Sequence, residues 1–232
     1  MAGVELINTT LFADANLAAY YQFEDATDSK AAYDLTAAGS PAYNAALFGN
    51  GADLGATNTT KGYDRNDALG IGGTTDVSFL FNVKLQTEVG SGEYDFIYFD
   101  TITGANRLCL CTYEYNGGTR RLRIYGSGAS AYYNITLGTT DWYQIVMNVA
   151  RGGGVTELFV NGSSVVTGTS GAGSGNGVDK IHIGKADTGS NWASCVFDDM
   201  AVFSRVLTST EVANHYSGAD QLPAGGYIFQ SY

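Results

Sequence analysis

Proline, positive charge and long apolar runs are all scarce in this 232-residue sequence. Two prolines leave no Pro-rich linker, which favours a single domain. No apolar run approaches the roughly 20 residues that a membrane-spanning helix needs. Residues 1–8 contain neither a basic nor an apolar region, so no signal peptide is visible. The three cysteines allow at most one disulfide, and small buried hydrophobic side chains are the simpler interpretation.

The scarcity of positive charge limits the choice of partners. Lysine and arginine total 12 against 23 aspartates and glutamates, and the formal net charge is −11 at pH 7. An acidic surface repels phosphate backbones and anionic lipids, so we expect neither nucleic acid nor a membrane as a partner. Neutral ligands and cations suit such a surface better.

Glycine and aromatic residues are abundant instead. The chain has 31 glycines, 16 tyrosines and 11 phenylalanines, with 15% charged residues. This composition suits many short strands joined by tight turns. One such strand runs from Val155 to Val160 and leads into Asn161-Gly162, the preferred pair for a type I′ hairpin turn.

The stretch from Phe197 to Glu211 combines a strand with the start of a helix. Side chains alternate along a regular strand, which predicts one face formed by Phe197, Asp199, Ala201 and Phe203. Thr208 and Glu211 have the spacing of a capping box, in which each side chain binds the other's free backbone N–H. We therefore expect a short helix with Val212 and Tyr216 on its apolar stripe, ended by Gly218.

This ending resembles that of bacterial and phage laminin-G-like (concanavalin A-like) jelly-roll domains. The family's Asp, Glu, Arg, Leu and Glu positions are taken here by Asp198, Asp199, Arg205, Leu207 and Glu211. The opening strand Leu17–Phe23, the Trp142 position and the strand leading into Asn161-Gly162 also resemble family elements. The resemblance spans about Leu17 to Tyr216.

The resemblance implies an all-β fold: a two-sheet antiparallel jelly-roll sandwich, concanavalin A-like, with about a dozen strands and one short C-terminal helix. The domain would cover residues 17–218, with residues 1–16 as an N-terminal extension. Residues 219–232 would form a tail that pairs as an edge strand or contacts another subunit. The predicted core contains Tyr21, Phe23, Phe79, Phe81, Trp142, Ile145, Leu158, Val160, Ile183, Phe197 and Phe203.

Glycoside hydrolases share this fold, so catalysis has to be considered. Their pattern is Glu-x-Asp-x-x-Glu, and the nearest match here has Glu93, Asp95 and then Tyr98. Without the second glutamate this strand has no acid and nucleophile pair. His182 and His215 form no nucleophilic triad with other residues in the sequence pattern. We predict that the protein is not an enzyme.

The resemblance also implies a structural calcium ion between the opening turn and the last strand. Its ligands would be Glu24, Asp25, Asp28 and Asp198, since calcium is bound by six to eight oxygens that include carboxylates. The alternative is that these turns are acidic because aspartate favours turns.

A sugar is held by aromatic rings that stack on its C–H faces and by amides and carboxylates that bind its hydroxyl groups. Trp192 lies in a polar loop with Asp187 and Asn191, and these three residues are the predicted ligand-binding site. The flexible Gly168–Gly177 loop could line the same rim. The alternative is that Trp192 plugs the end of the sandwich.

The sequence therefore predicts a non-catalytic binding module for carbohydrate recognition or adhesion. We expect it outside the cell or on a virion surface, as in a phage fibre, tail or capsid-decoration protein. Two alternatives stay open: a structural, self-assembling subunit with homo-oligomer or virion partners and no sugar, and a glycoside hydrolase.

Overall fold

Fifteen strands and one α-helix make up the described part of the chain in the computed structural model, which describes residues 5–30, 33–57, 60–66, 69, 71, 75–100, 107–126, 129–151, 154–169, 180–186 and 189–220. Two 3-10 turns, Leu6–Asn8 and Thr10–Ala13, precede the first strand. In chain order the elements are β1 (Leu17–Tyr21), β2 (Thr36–Ala38), β3 (Ala42–Ala45), β4 (Asn50–Asp53), β5 (Gly62–Arg65), β6 (Val77–Leu85), β7 (Gly92–Asp100), β8 (Arg107–Asn116), β9 (Thr119–Gly126), β10 (Ala129–Asn134), β11 (Tyr143–Val149), β12 (Val155–Val160), β13 (Ser163–Thr169), β14 (Lys180–Ile183), β15 (Cys195–Phe203) and α1 (Ser209–Ser217).

The strands form two antiparallel sheets, which confirms the predicted jelly-roll sandwich. The eight-stranded sheet has the order β13-β12-β11-β6-β15-β4-β3, and β1 pairs with β15 beside this path. The seven-stranded sheet has the order β10-β9-β8-β7-β14-β5-β2. No helix in the described ranges has the length and apolarity to cross a membrane.

The main core lies between the two sheets and contains the predicted residues with two exceptions. Phe79, Phe81 and Ile145 from one sheet pack there with residues such as Ile183 from the other. Trp142 is only half-buried, so its prediction as a core residue is wrong. It precedes the first residue of β11, and the continuously buried part of that strand starts only at Gln144. Phe203 is buried, but in a second cluster outside the sandwich.

A bulge in β15 accounts for the position of Phe203. The register against β6 shifts between Asp198 and Ala201, and Asp199 has a φ of +52°. Beyond the bulge the alternation is inverted, because one extra residue moves every later side chain to the other face. Phe197 therefore points into the sandwich while Ala201 and Phe203 point out of it, and the prediction that they share a face is wrong.

The second cluster covers the outer face of the eight-stranded sheet. Leu6 and Leu11 from the 3-10 turns, with Leu207 and Val212 at the start of α1, pack on the outward side chains of that sheet. These outward side chains are Tyr20, Leu80, Val146, Phe159, Ala201 and Phe203. In the described part of the chain, no helix or 3-10 turn joins the small cluster of Tyr98, Leu110 and Ala186 on the outer face of the seven-stranded sheet.

Helix α1 begins and ends as the sequence predicts. Thr208 and Glu211 form the capping box, and Gly218 ends the helix in the left-handed conformation at φ +78°. Arg205 donates to both Glu211 and Asp14, which ties the helix start to the chain before β1. The Asn161-Gly162 turn is also confirmed, with φ values of +50° and +78°.

Candidate functional site

Side chains of three neighbouring strands meet on the outer face of the seven-stranded sheet. Glu93 of β7 lies opposite Glu114 of β8, which lies opposite Arg121 of β9. Residues directly opposite each other project to the same face. Tyr113 and Leu122, the chain neighbours of this row, point into the core, so the row itself points outward.

Two guanidinium groups contact the two glutamates, and that of Arg123 lies near both. Arg121 Nε donates to Glu114 Oε1 at 2.6 Å. Arg123 Nη1 lies 3.6 Å from Glu93 Oε2 and 3.7 Å from Glu114 Oε2. We call Glu93, Glu114, Arg121 and Arg123 the charged row. Their side chains are between 9% and 25% exposed, so the row is partly desolvated and still open to a ligand.

A buried polar pair and an exposed aromatic ring lie next to the charged row. Asp95 lies opposite Thr112, whose hydroxyl donates to Asp95 Oδ1 at 2.8 Å. The guanidinium of Arg121 lies 4.0 Å from the ring centroid of Tyr132, and that ring is 44% exposed. The face therefore offers an accessible ring beside charged donors and acceptors.

Asn191 connects the predicted rim to the charged row. Its Nδ2 donates to Glu93 Oε1 at 2.6 Å and to Asp95 Oδ2 at 3.2 Å, and its backbone carbonyl accepts from Asp95 N at 3.0 Å. A groove of about 300 Å³ runs beside it. The groove is lined by Gly92, Glu93, Glu114, Tyr115, Asn116 and Asn191.

Trp192 is half-buried beside the same surface. Its Nε1 donates to Gly189 O at 2.8 Å, and Lys185 Nζ lies 5.5 Å from its ring centroid. Lys185 Nζ also lies 2.8 Å from Asp64 Oδ2, while His182 Nδ1 lies 2.5 Å from Asp64 Oδ1. Burial opposes ionisation of Asp64, but hydrogen bonds from His182 and Lys185 bring its pKa below the ordinary value.

The structure thus brings two of the three predicted ligand-binding residues, Asn191 and Trp192, to one loop beside the charged row. Asp187 lies outside the described residues. Glu114, Arg121 and Arg123 were not predicted, because the hydrolase pattern places its second glutamate on the same strand as Glu93. The alternation of side chains along β8 and β9 indicates which face of the sheet these three residues occupy. The register that sets Glu114 opposite Glu93 could not be predicted from the sequence.

The four predicted calcium ligands lie in different environments. Asp25 Oδ1 accepts from Thr27 N at 2.7 Å and closes a local turn. Asp28 is buried and accepts backbone N–H groups, including that of Tyr20 at 2.8 Å. Asp25 therefore binds within its own turn, and Asp28 ties its turn to β1.

Glu24 and Asp198 instead bind one shared turn, residues 48–50. Glu24 Oε1 accepts from Asn50 N at 2.9 Å, and Asp198 Oδ2 accepts from Phe48 N at 2.7 Å. Asp198 Oδ1 is buried without a hydrogen-bond partner among the described residues. Burial, with the charge of Asp199, raises the pKa of Asp198 to about 8. An oxygen in that position can take up a proton or a cation.

Across the described ranges, no three His, Cys, Asp or Glu side chains are arranged to hold a metal ion. A calcium ion at Asp198 and Glu24 would need backbone carbonyls for most of its ligands. The calcium site stays a prediction, with Asp198 as its best-placed ligand.

Comparisons with known proteins give the same fold. Residues 67–213 match the family model Laminin_G_3, described as the Concanavalin A-like lectin/glucanases superfamily. No curated protein matches the chain.

Among solved structures, domain 4 of AbnA, a GH43 extracellular arabinanase from Geobacillus stearothermophilus in complex with arabinotriose, is similar with a TM-score of 0.63 and 19% identity. That match covers 87% of this chain and 98% of the domain. The Trypanosoma rangeli sialidase has a TM-score of 0.66 at 14% identity, over 89% of this chain and 33% of the sialidase. The botulinum neurotoxin serotype G binding domain has a TM-score of 0.66 at 14% identity, over 88% of this chain and 51% of that domain. At these identities the likeness is one of fold.

Proposed function

We propose that this chain, which belongs to the concanavalin A-like lectin/glucanases superfamily, is a non-catalytic glycan-binding module with its ligand on the outer face of the seven-stranded sheet. The observation that carries the proposal is the charged row, with Asn191 hydrogen-bonded to Glu93 at one end and Tyr132 under Arg121 at the other. Carboxylates, guanidinium groups and an amide bind sugar hydroxyls, and exposed rings stack on sugar C–H faces.

A difference between the two outer faces of the sandwich supports this location. The eight-stranded sheet buries its outward side chains under the 3-10 turns and α1. The seven-stranded sheet carries a half-exposed tryptophan, an exposed tyrosine and a groove of about 300 Å³ on its outward side. A ligand that needs stacking and hydroxyl contacts fits this second face.

The similar structures support the ligand class. Domain 4 of the arabinanase is in complex with arabinotriose, and the binding domain of botulinum neurotoxin DC is in complex with SialylT. The T. rangeli sialidase is in complex with sialic acid. These proteins favour a carbohydrate ligand for this chain and leave its identity to experiment.

Binding without hydrolysis is favoured by the partners of the two glutamates. Retaining hydrolysis needs one carboxyl group as an acid and a second as a nucleophile, about 5 Å apart. Glu93 and Glu114 are opposed on neighbouring strands, which keeps the hydrolase alternative open to test. However, Glu114 is in an ion pair with Arg121, and Glu93 accepts from Asn191. Both carboxylates are thus tied into a network that positions hydroxyl-binding groups.

A glycan array with the purified protein tests the proposal. We expect retention on a defined subset of glycans and at least about a tenfold loss in Asn191→Gly, because each charge-assisted hydrogen bond is worth about 1.5–3 kcal/mol. Glycine keeps the left-handed backbone that Asn191 adopts at φ +54°. Asn44→Ala, an exposed change on β3 of the other sheet, is the matched control.

Three outcomes decide between the alternatives. Retention lost in Asn191→Gly and kept in Asn44→Ala supports the proposal. Release of reducing sugar from a retained glycan, abolished in Glu114→Gln, would make the protein a hydrolase. Absence of retention together with a multimeric mass in solution would favour the structural, self-assembling subunit. The proposed setting, outside a cell or on a virus particle, follows from where such glycans are displayed.

A further inference from the structure

A second cleft, of about 450 Å³, opens where four separate parts of the chain meet. Leu47 comes from the turn between β3 and β4. Thr140, Asp141 and Trp142 come from the loop before β11, and Tyr143 is the first residue of that strand. Asn161 comes from the β12–β13 turn, and Tyr216 comes from the last turn of α1. None of these residues lines the groove beside the charged row.

The rings of this cleft are held by the surrounding backbone. The hydroxyl oxygen of Tyr143 accepts from Gly138 N at 3.0 Å. The ring of Tyr216 packs directly on Gly162, where an added Cβ would lie 2.8 Å from Tyr216 Cβ and 3.0 Å from its ring carbons. Trp142 is half-buried. Three aromatic side chains therefore share one opening, and the close contact at Gly162 fixes one of them.

The polar groups are positioned as well. Asn161 Oδ1 accepts from Gln144 N at 3.0 Å, and Asn161 N donates to Gln144 O at 2.9 Å. These contacts orient the Asn161 side chain and leave its amide nitrogen to donate to a ligand. Asp141 is exposed and its Oδ2 accepts from Thr140 Oγ1 at 3.3 Å, so the carboxylate has lone pairs for further donors.

We propose that this cleft is a second carbohydrate site, and that it takes a neutral sugar ring. Aromatic rings, an amide and a carboxylate around a cavity of this volume are the groups that hold a pyranose or furanose. Among the described residues that line it, none is cationic and Asp141 is anionic. A sialic or uronic acid would meet that negative charge without a compensating cation, which selects against acidic sugars. The proposal does not depend on the sheet-face site, since the two share no lining residue.

The two tryptophans of the chain report on the two sites separately, because Trp142 lines the cleft and Trp192 lies beside Asn191. The protein is labelled with fluorotryptophan, and Trp192→Phe assigns the two fluorine NMR signals. The probes are methyl glycosides of glucose, galactose, mannose and arabinose, with N-acetylneuraminic acid as the acidic sugar. We expect a saturable shift of the Trp142 signal with at least one neutral glycoside and none with the acidic sugar.

Two variants locate the effect within the cleft. Asp141→Ala removes an exposed carboxylate, and Asn161→Gly removes the amide while it keeps the positive φ of that turn. Each should weaken the dissociation constant for the active glycoside by about tenfold or more. Glu157→Ala, a carboxylate removed elsewhere on the same sheet, should leave it unchanged.

Four other results would contradict the inference. If only the Trp192 signal responds to sugars, the cleft is not a site, while the sheet-face function stands. If the Trp142 signal stays fixed with every neutral glycoside, the cleft proposal fails whatever Trp192 does. If the Trp142 signal responds to N-acetylneuraminic acid and to no neutral glycoside, the assigned ligand class is wrong. A response that survives both Asp141→Ala and Asn161→Gly places binding outside the cleft.

Discussion

Asp198 and Asp199 are consecutive buried residues in β15, and their carboxyl groups have different hydrogen-bond partners. Asp199 accepts from the Tyr20 hydroxyl and from Leu6 N. Asp198 accepts from Phe48 N through one oxygen, and the other has no hydrogen-bond partner in the described chain. Burial raises the pKa of Asp199 to about 7. The bulge thus directs Asp199 toward the N-terminal segment and Asp198 toward the turn that also binds Glu24.

The first prediction concerns calcium at Asp198. The melting temperature should be higher in calcium than in chelator, because a cation would satisfy the unpartnered oxygen and bind the folded state alone. Differential scanning calorimetry in the two buffers measures this shift. Asp198→Ala should abolish it, whereas Glu157→Ala, which removes a carboxylate on β12 outside the predicted calcium site, should retain it. Identical melting temperatures of the parent protein in both buffers would show that calcium does not stabilise it.

The second prediction separates the two tryptophans by stability. Trp142 is half-buried, so Trp142→Ala should cost only about 1–2 kcal/mol and leave the protein folded. Trp192→Ala should leave the melt nearly unchanged and lower glycan retention. Phe81→Ala, fully buried between the sheets, should cost about 3–5 kcal/mol as the core control. Urea unfolding of the three variants gives the ranking. A Trp192→Ala protein that unfolds would show that the ring is a plug.

At the scale of elements, Arg205 holds the start of α1 against the chain before β1. Its Nη1 donates to Glu211 at 2.9 Å and its Nε to Asp14 at 2.7 Å. Hydrogen bonds from Arg205 lower the pKa of Glu211. For Asp14, burial acts in the opposite direction, but hydrogen bonds from Asn16 and Arg205 leave its pKa lowered as well.

The third prediction follows from the sign of these shifts. Groups with a lowered folded-state pKa stabilise the protein above their ordinary pKa near 4, and this stability is lost as the pH falls through the folded-state value. Arg205→Gln should cost about 1–3 kcal/mol at pH 7 and flatten the loss of unfolding free energy between pH 5 and pH 3. Denaturant unfolding across that range measures it. Lys84→Gln removes the same charge from β6, and an equal flattening there would contradict the assignment to Arg205.

Local patterns predicted whole elements well, and contacts between strands were harder. The capping box at Thr208 and the Asn161-Gly162 turn depend on residues within four positions, so the sequence alone specified them. The alternation in β15 held up to Asp198 and then failed, because a bulge leaves no mark in a period-two pattern. The role of Glu114 and the exposure of Trp142 were not predicted, for related reasons. The pairing of Glu114 with Glu93 depends on strand register, and the exposure of Trp142 depends on where β11 begins.

At the scale of the whole molecule, residues 5–16 pack against the sandwich. Leu6 and Leu11 are buried on the outer face of the eight-stranded sheet, and Thr10 N donates to Asp220 O at 3.2 Å. A domain that begins at residue 17, as the sequence predicts, leaves out the residues that make these contacts. Residues 5–16 therefore stabilise the sheet on which they lie.

The fourth prediction is that a chain beginning at Leu17 is strongly destabilised. Without residues 1–16 the outward side chains of the eight-stranded sheet lose part of their apolar cover, and a bared apolar patch favours association. We expect a lower melting temperature and increased binding of a hydrophobic dye. The full chain with Leu6→Ala and Leu11→Ala should show the same direction, at about 2–5 kcal/mol for each residue. A shortened chain that melts with the parent would make residues 1–16 a true extension.

The pairing of β1 with β15 has a consequence for how the molecule is made. Among the described strands, β1 is synthesised first and its partner β15 is synthesised after all the others. While β2 to β14 are being synthesised, Tyr20 and Tyr21 have no β15 to pack beside. Contacts between such distant parts of a chain close slowly, because the loop must be ordered before the pairing stabilises it. The nascent sandwich thus depends on β15 to hold β1 in place, and its folding should finish only after β15 has left the exit tunnel.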